Sequence, residues 1–229
     1  MKKLVIIPAY NESACIVRTV EDVTKNAPDF DYLIINDCST DNTLDVCIEH
    51  GLKCLKLPVN LGIGGAVQAG YLYAVRNGYD IAVQFDGDGQ HSAKYLALMV
   101  EKMQEKNADM VIGSRFITNE GFQSSTIRRM GIKHFNILIK MLTGKQITDP
   151  TSGMRMVNKD IIKLFSEDYP KDYPEPESVV HILGMGKSVL EVPVIMNERS
   201  DGVSSISPLK SIYYMIKVSV AIVIARLRR

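Results

Sequence analysis

Short apolar runs alternate with longer, partly polar segments through the first half of the chain. The apolar runs are typical of buried strands and cover residues 4–7, 32–35, 54–57, 81–85 and 110–112. The segments between them predict helices, several with a Ser, Asp or Asn cap, at about residues 13–18, 42–49, 64–77 and 93–106. Apolar strands separated by helices predict an α/β fold with a Rossmann-like, mostly parallel sheet covered on both faces.

The second half of the chain has a less regular pattern. It predicts an amphipathic helix at residues 124–143, a turn into a short strand at 149–157 and a proline-rich loop at 169–177. A helix at 177–186, a strand at 188–196 and a polar loop at 197–205 follow. We therefore predict one domain over residues 1–205, followed by a separate apolar helix with basic ends over residues 206–229.

Composition agrees with a single cytoplasmic domain. The 229 residues are 46% hydrophobic, which provides a substantial core for one α/β domain. A formal net charge of +1 argues against a general nucleic-acid binder. The four cysteines form no CxxC pair, and the apolar run at the N-terminus stops at Pro8, which is too early for a signal peptide.

Polar side chains follow several of the predicted strands. They are Asn11, Glu12, Asp37, Asn60, Asp86, Asp88 and Arg115. Ligands of open α/β sheets bind at the carboxyl ends of the strands. The sequence therefore predicts a binding site at this edge of the sheet.

The stretch QFDGDGQH places Asp86 and Asp88 one residue apart, directly after a predicted strand. Aspartate and glycine are common in ordinary solvated turns, which is one interpretation. Carboxylate oxygens on a tight turn also suit Mg²⁺ or Mn²⁺. Because the pair falls at the expected edge of the sheet, the position favours a metal site.

Other motifs leave alternatives open. The glycine-rich stretch NLGIGGAVQAG has Val67 where a dinucleotide fingerprint needs its third glycine, so it predicts a turn into a helix. Arg115, Arg155 and Arg199 suit either phosphate binding or ordinary structural pairing. His91 is expected to contact backbone near the start of a helix.

Six motifs in order resemble the family 2 glycosyltransferases with the GT-A fold. They are IIPAYNE, NDCSTDNT, NLGIGGA, FDGDGQH, GSRF and DPTSGMRM. The resemblance is closest to the dolichol- and polyprenyl-phosphate sugar synthase branch and covers roughly residues 3–205. It implies a GT-A domain that uses a nucleotide-sugar donor.

The resemblance also implies roles for individual residues. The implied nucleotide-binding residues are Pro8, Ala9, Tyr10, Glu12, Asp37, Asn60, Gly65 and Asp86. Asp86 and Asp88 are implied to bind Mg²⁺ or Mn²⁺, and Arg115 and Arg199 to bind phosphate. The catalytic candidates are Asp88, Gln90, Arg115, Glu175 and Glu177.

The predicted acceptor depends on the lack of a clear general base in the sequence. The region YPEPES lacks the clear acidic pair with which many family 2 enzymes deprotonate a hydroxyl acceptor, although Glu175, Glu177 or Asp149 remain candidate bases. A phosphate acceptor hardly needs a base, because its second pKa of about 6 leaves it mostly dianionic. The resemblance implies transfer with inversion and favours UDP as the donor nucleotide. Together with the lack of a clear base, it predicts sugar transfer to polyprenyl (undecaprenyl) phosphate for cell-envelope glycans. The alternatives are extension of a surface glycan at a hydroxyl and, less favoured, nucleotidyl transfer.

The C-terminal segment suggests contact with a membrane. Its apolar stretch is interrupted by Lys217 and is shorter than the roughly 20 residues that span a bilayer. We expect an interfacial helix at the inner face of the cell membrane, and packing on the core or between subunits is the alternative. A small membrane protein and a homo-oligomer are further expected partners.

Overall fold

The computed structural model describes residues 1–118, 120, 126–197 and 208–227. The strands of the described chain are β1 to β7 at Lys3–Ala9, Asp31–Asn36, Cys54–Lys56, Ile81–Gln84, Met110–Ser114, Arg155–Asn158 and Val189–Pro193. The helices are α1 to α8 at Ile16–Asn26, Thr43–Glu49, Gly62–Arg76, Leu96–Glu105, Thr126–Thr143, Lys159–Glu167, Pro174–Gly184 and Pro208–Leu227. A single 3₁₀ turn at Ala93–Tyr95 precedes α4.

One sheet joins the strands in the order β3-β2-β1-β4-β6-β5-β7. The strand β6 runs antiparallel to both its neighbours, β4 and β5, whereas the other pairings are parallel. The predicted α/β fold with a mostly parallel sheet is therefore confirmed. The carboxyl ends of β1, β2 and β4 lie at one edge.

Both faces of the sheet are covered, as the apolar strands predicted. Along β1, Leu4 and Ile6 pack into a core with α3, α5, α6, α7 and α8. Val5 and Ile7 point to the other face and pack with α1 and α4. Strands buried on both faces need apolar side chains at every position, which explains the absence of alternation in their sequences.

Three helices differ from the sequence pattern. Helix α1 covers Ile16–Asn26, whereas the pattern predicted a helix at about residues 13–18. Helix α6 was not predicted, although Asn158 caps it by accepting a hydrogen bond from the amide of Ile161 at 3.1 Å. Helix α7 begins at Pro174, inside the segment that was expected to be a loop. Proline fits the first helical position because its missing N–H would have no partner there. The proline-rich segment therefore starts the helix.

The C-terminal helix α8 packs beside α5. Ser219 and His134 share a hydrogen bond of 2.9 Å, and Arg226 Nε donates to the carbonyl of Leu142 at 3.0 Å. Val218 and Ile222 are fully buried against the core. Along the part of the chain that the structure describes, no helix has the length and apolar character to cross a membrane.

Candidate functional site

A cleft of about 470 Å³ opens at the carboxyl ends of β1, β2 and β4. Its lining residues are Pro8, Ala9, Tyr10, Glu12, Asp37, Asn60, Gly62, Ile63, Ala66, Asp86, Gly87 and Asp88. The structure thus brings most of the predicted nucleotide and metal residues to one place. Gly65 is not among them, and a Cβ at Gly65 would lie 2.4 Å from the Cβ of Leu61, the residue that precedes α3.

Asp37 connects the loops at the end of β2. Its amide donates to the carbonyl of Ala9 at 2.9 Å, and its Oδ1 accepts from the amide of Leu61 at 2.7 Å. Asn60 Nδ2 donates to the carbonyl of Asp37 at 3.0 Å. These bonds hold the start of α3 against β1. Asp37, which the resemblance implies to bind the nucleotide, therefore also connects these elements.

The turn after β1 is held by hydrogen bonds to the loop after β2. Asn11 has a φ of 58°, a conformation that asparagine tolerates better than most residues. Its Oδ1 accepts from the amides of Thr40 and Asp41 at 2.8 and 3.2 Å. The amide of Glu12 donates to Thr43 Oγ1 at 2.9 Å. The motif NDCSTDNT therefore supports the wall of the cleft that Tyr10 and Glu12 line.

The aspartate loop, which comprises residues 85–90 after β4, is fixed by its own backbone and by His91. The amide of Gln90 donates to Asp88 Oδ1 at 3.0 Å, and the amide of Asp86 donates to His91 Nδ1 at 3.0 Å. Burial lowers the pKa of His91 to about 4, which keeps the ring neutral near pH 7. Its Nε2 lies 3.6 Å from Asp86 Oδ2. His91 thus contacts backbone and orients the first aspartate.

Gly153, from the motif DPTSGMRM, packs against Asp86. A Cβ at this position would lie 2.3 Å from Asp86 Oδ2, which is closer than any real contact of this kind. A side chain there would have to displace the carboxylate. No signal in the local sequence identifies Gly153, because the contact spans 67 residues of chain.

Arg115 forms a buried ion pair with Asp149. Its Nε and Nη2 donate to the two carboxylate oxygens at 2.7 Å each, and its side chain is only 8% exposed. Glu191 in turn accepts from the amides of Thr148 and Asp149 at 2.7 and 2.8 Å. Arg115 does not line the cleft. Its role as a phosphate ligand stays a prediction, and its observed contacts fix the DPTSGMRM loop.

Gln90 lies where the segment after β7 meets the aspartate loop. The amide of Asn197 donates to the carbonyl of Gln90 at 2.9 Å, and Asn197 Nδ2 donates to the carbonyl of Gly89 at 3.4 Å. Arg199 lies outside the described residues. Its predicted role in phosphate binding therefore stays a prediction.

Glu175 and Glu177 lie on different sides of α7. Glu175 accepts a hydrogen bond from the Gln84 side chain and interacts electrostatically with Arg155 and Asp86. Burial raises the pKa of Glu175, and Arg155 opposes the shift. Glu177 instead lines another cavity beside α8. The structure therefore brings Glu175, but not Glu177, to the aspartate loop.

The donor atoms fit a hard divalent cation that is completed by other ligands. Asp86 and Asp88 both line the cleft and are half-buried. Among the residues that the structure describes, no three His, Cys, Asp or Glu side chains are grouped to hold a metal ion. Mg²⁺ is commonly held by one or two carboxylates, with waters and substrate phosphates completing its shell. A cation here would be held by Asp86 and Asp88.

A second cavity, of about 440 Å³, lies beside α5. Its lining residues are Phe116, Arg129, Met130, Ile132, Lys133, Asn136 and Thr148. Asn136 Nδ2 donates to the carbonyl of Thr148 at 2.9 Å, while its buried Oδ1 has no hydrogen-bond partner in the described structure. Two cations beside apolar side chains make this cavity different in character from the cleft. Sequence reasoning did not identify it, because it depends on how α5 packs.

Curated relatives match nearly the whole chain. "Undecaprenyl-phosphate mannosyltransferase" from Micrococcus luteus is 30% identical over 90% of this chain and 88% of its own length. "Polyprenol monophosphomannose synthase" from Mycolicibacterium smegmatis is 29% identical over 90% and 81%. "UDP-N-acetylglucosamine--dolichyl-phosphate N-acetylglucosaminyltransferase" from Methanococcus voltae is 29% identical over 82% and 83%. These names agree with the branch that the motifs predicted.

A solved structure supports the fold independently. Glucosyl-3-phosphoglycerate synthase from Mycobacterium tuberculosis, in complex with Mn²⁺, UDP and phosphoglyceric acid, matches with a TM-score of 0.73 at 18% identity. The match covers 98% of this chain and 78% of that one. The family model described as "Glycosyl transferase family 2" matches residues 4–165. The chain belongs to glycosyltransferase family 2.

Proposed function

We propose that this glycosyltransferase moves a sugar from a nucleoside diphosphate donor to polyprenyl phosphate, with inversion at the anomeric carbon. The observation that carries the proposal is a carboxylate-lined cleft together with a second cavity that is lined by cationic and apolar side chains. The names of the relatives, which refer to undecaprenyl phosphate, polyprenol monophosphomannose and dolichyl phosphate, support it. We favour UDP as the nucleotide, as one of these names states for that relative.

The donor would occupy the cleft between β1, β2 and α3. Pro8, Ala9 and Tyr10 form an apolar wall for a base, and Asp37 and Asn60 also line the cleft. Asp86 and Asp88 would hold Mg²⁺ or Mn²⁺ against the diphosphate, and the cation would neutralise charge on the leaving nucleotide. Our proposal that the enzyme needs a divalent metal rests on this donor set.

The acceptor phosphate would occupy the second cavity. Arg129 and Lys133 lie one helical turn apart on α5 and suit a phosphate, while Phe116, Met130 and Ile132 suit an isoprenoid chain. Phe116 and Thr148 are the chain neighbours of Arg115 and Asp149. That ion pair also lies close enough to His91 to influence its pKa electrostatically. The pair therefore connects the second cavity to the aspartate loop.

The chemistry would be a single displacement. A phosphate oxygen of the acceptor forms a bond to the anomeric carbon, and the bond from that carbon to the donor diphosphate breaks, with its electrons leaving on the diphosphate. The nucleophile is already ionised, so no protein group has to take a proton. The role of the chain is to bind and orient two anions whose charges repel each other.

We further propose that α5 and α8 bind the inner membrane surface. The exposed residues Met130, Ile137 and Met141 of α5 and Ile216, Val220 and Leu227 of α8 form the α5–α8 face. Gly131 lies close to Met215, His134 shares a hydrogen bond with Ser219, and Leu142 accepts one from Arg226, so the two helices run parallel. Lys133, Lys140 and Lys217 are exposed there and suit anionic headgroups. A small membrane protein or a second copy of the chain is the alternative occupant.

Glu175 favours one alternative function, transfer to a sugar hydroxyl. Its carboxylate lies beside Asp86, and its raised pKa suits a base that takes a proton from an acceptor. Under the main proposal, Glu175→Gln retains substantial transfer to polyprenyl phosphate. Under the alternative, losing a general base costs about 10²–10⁴-fold.

The test is an assay with radiolabelled UDP- and GDP-sugars, undecaprenyl phosphate and Mn²⁺. We expect a lipid-linked monosaccharide with one donor, and we expect Arg129→Met with Lys133→Met to raise KM for the lipid while KM for the donor changes little. Lys25→Met, which removes an exposed lysine of α1, is the matched control. Labelled glycan without labelled lipid would instead support hydroxyl transfer.

A further inference from the structure

Gln84 is a buried polar residue in a strand that otherwise contains apolar side chains. It ends β4, which is flanked by β1 and β6, and it is fully buried. The sequence pattern places it within an apolar run. A buried amide is unfavourable unless its donors and acceptor are all satisfied, so its partners indicate why it is there.

Each end of the Gln84 amide has a defined partner. Nε2 donates to Asp86 Oδ1 at 3.3 Å, and the side chain also hydrogen-bonds the carboxylate of Glu175. Oε1 accepts from the hydroxyl of Tyr169 at 3.3 Å. One amide group therefore contacts two carboxylates that come from β4 and α7.

Tyr169 determines which way the amide faces. The hydroxyl of Tyr169 donates to Oε1, so the NH₂ group of Gln84 must point to the carboxylates. Tyr169 is itself held by ring contacts with Phe165 and Tyr71, at centroid distances of 4.8 and 5.4 Å. A packed aromatic cluster thus fixes the orientation of a polar group at the edge of the site.

We propose that Gln84 is a positioning residue that holds the carboxylate of Asp86, beside that of Glu175, in fixed geometry for the metal–diphosphate complex. The two carboxylates repel each other, and a neutral amide can donate to both without changing its charge. The Arg155 guanidinium, which donates to the carbonyls of Pro150 and Ser152 at 2.6 and 2.7 Å, supplies the nearby positive charge. The inference rests on the proposed function in taking Asp86 as a metal ligand and UDP as the donor nucleotide.

The test compares Gln84→Leu with Tyr169→Phe. Gln84→Leu removes the bridge, and Tyr169→Phe keeps the ring but leaves Oε1 free to turn. Residues that orient metal ligands typically contribute about 10–100-fold to metal affinity, and we expect Gln84→Leu to weaken Mn²⁺-dependent UDP binding by that factor. We expect Tyr169→Phe to weaken Mn²⁺-dependent UDP binding by a smaller factor. Gln68→Leu, which changes a glutamine of α3 away from the cleft, is the control.

The readouts are calorimetric titration of UDP with Mn²⁺ present, donor hydrolysis without acceptor, and melting temperature. A weaker UDP titration and a lower kcat for hydrolysis, with a melting temperature like that of Gln68→Leu, support the proposal. Unchanged Mn²⁺–UDP binding in Gln84→Leu overturns it, as does a loss seen equally in Gln68→Leu. If the native protein binds no Mn²⁺–UDP, the proposed donor is wrong and the inference falls with it. None of these measurements uses an acceptor, so an error in the proposed acceptor would not change their result.

Discussion

The two halves of the sheet use charged residues differently. Around β1, β2 and β4, the carboxylates Asp86 and Asp88 are half-buried and line a cleft. Around β5, β6 and β7, Arg115, Asp149 and Arg155 are buried and bonded to other parts of the protein. A charged motif residue in this fold therefore does not have to contact substrate. In the second half, its first role is to hold the loops that complete the site.

The largest expected effect is the loss of activity when Asp88, in the first half of the sheet, is replaced. We expect Asp88→Asn to lower kcat by at least about 10²-fold, because it removes a ligand charge opposite the leaving diphosphate. The melting temperature should stay close to that of the native protein, since the residue is half-buried at the cleft. Activity is measured with saturating Mn²⁺, and Asp45→Asn on the exposed surface of α2 is the control. Full activity of Asp88→Asn, or of the native enzyme in excess EDTA, would contradict a role for a divalent metal in the reaction.

The next effect is on stability in the second half. We expect Arg115→Met to lower the free energy of unfolding by about 3–5 kcal/mol, because Asp149 would be left buried and uncompensated. The double variant Arg115→Met/Asp149→Leu should recover much of this loss. Urea unfolding of both, with Lys25→Met as control, measures the effect. If Arg115→Met is as stable as the native protein but loses donor binding, Arg115 acts chiefly on phosphate, as the motif implied.

The first half of the molecule was the easier one to predict from sequence. Parallel strands place their carboxyl ends together, so Asp37, Asn60 and Asp86 could be assigned to one cleft from their positions after strands. The position of the DGD pair followed from the same rule, whereas Pro8 and Ala9 were implied by the resemblance to family 2 glycosyltransferases. Local pattern was sufficient because sheet topology converts chain position into spatial position.

The second half could not be predicted in the same way. Strand β6 is inserted antiparallel between β4 and β5, and no periodicity in a four-residue strand encodes its direction. The contact between Gly153 and Asp86, and that between Gln84 and Glu175, depend on this insertion. Pro174 and Pro176 indicated a loop because proline favours both loops and the first helical turn. Tertiary packing decided each of these cases.

Gly153 tests how closely the two halves depend on each other. We expect Gly153→Ala to lower activity by about 10–100-fold, because the new Cβ would displace the Asp86 carboxylate from its position. The control is Gly184→Ala in α7, where a Cβ would meet only Arg226 side-chain atoms at 3.6 Å or more. The half-saturating Mn²⁺ concentration should rise in the first variant and not in the second. An unchanged value for Gly153→Ala would mean that the loop adjusts without affecting Asp86.

The smallest expected effect concerns the α5–α8 face. We expect Ile216→Glu with Val220→Glu to reduce activity several-fold on undecaprenyl phosphate in anionic vesicles, because charge on this face opposes insertion. Activity on a short, soluble polyprenyl phosphate should change little. Ile48→Glu, at an exposed apolar position on α2, is the matched control. Equal losses on both acceptors would assign the face to packing with a second copy or a protein partner.

The measurement that tests the central claim most directly compares polyprenyl phosphate with the polyprenol of the same chain length. Both present the same isoprenoid, and only the first carries the phosphate that Arg129 and Lys133 are proposed to bind. With the preferred nucleotide sugar and Mn²⁺, mass spectrometry should detect a glycosylated product from polyprenyl phosphate and none from polyprenol. Transfer to polyprenol or to a glycan hydroxyl, with none to polyprenyl phosphate, would contradict the account.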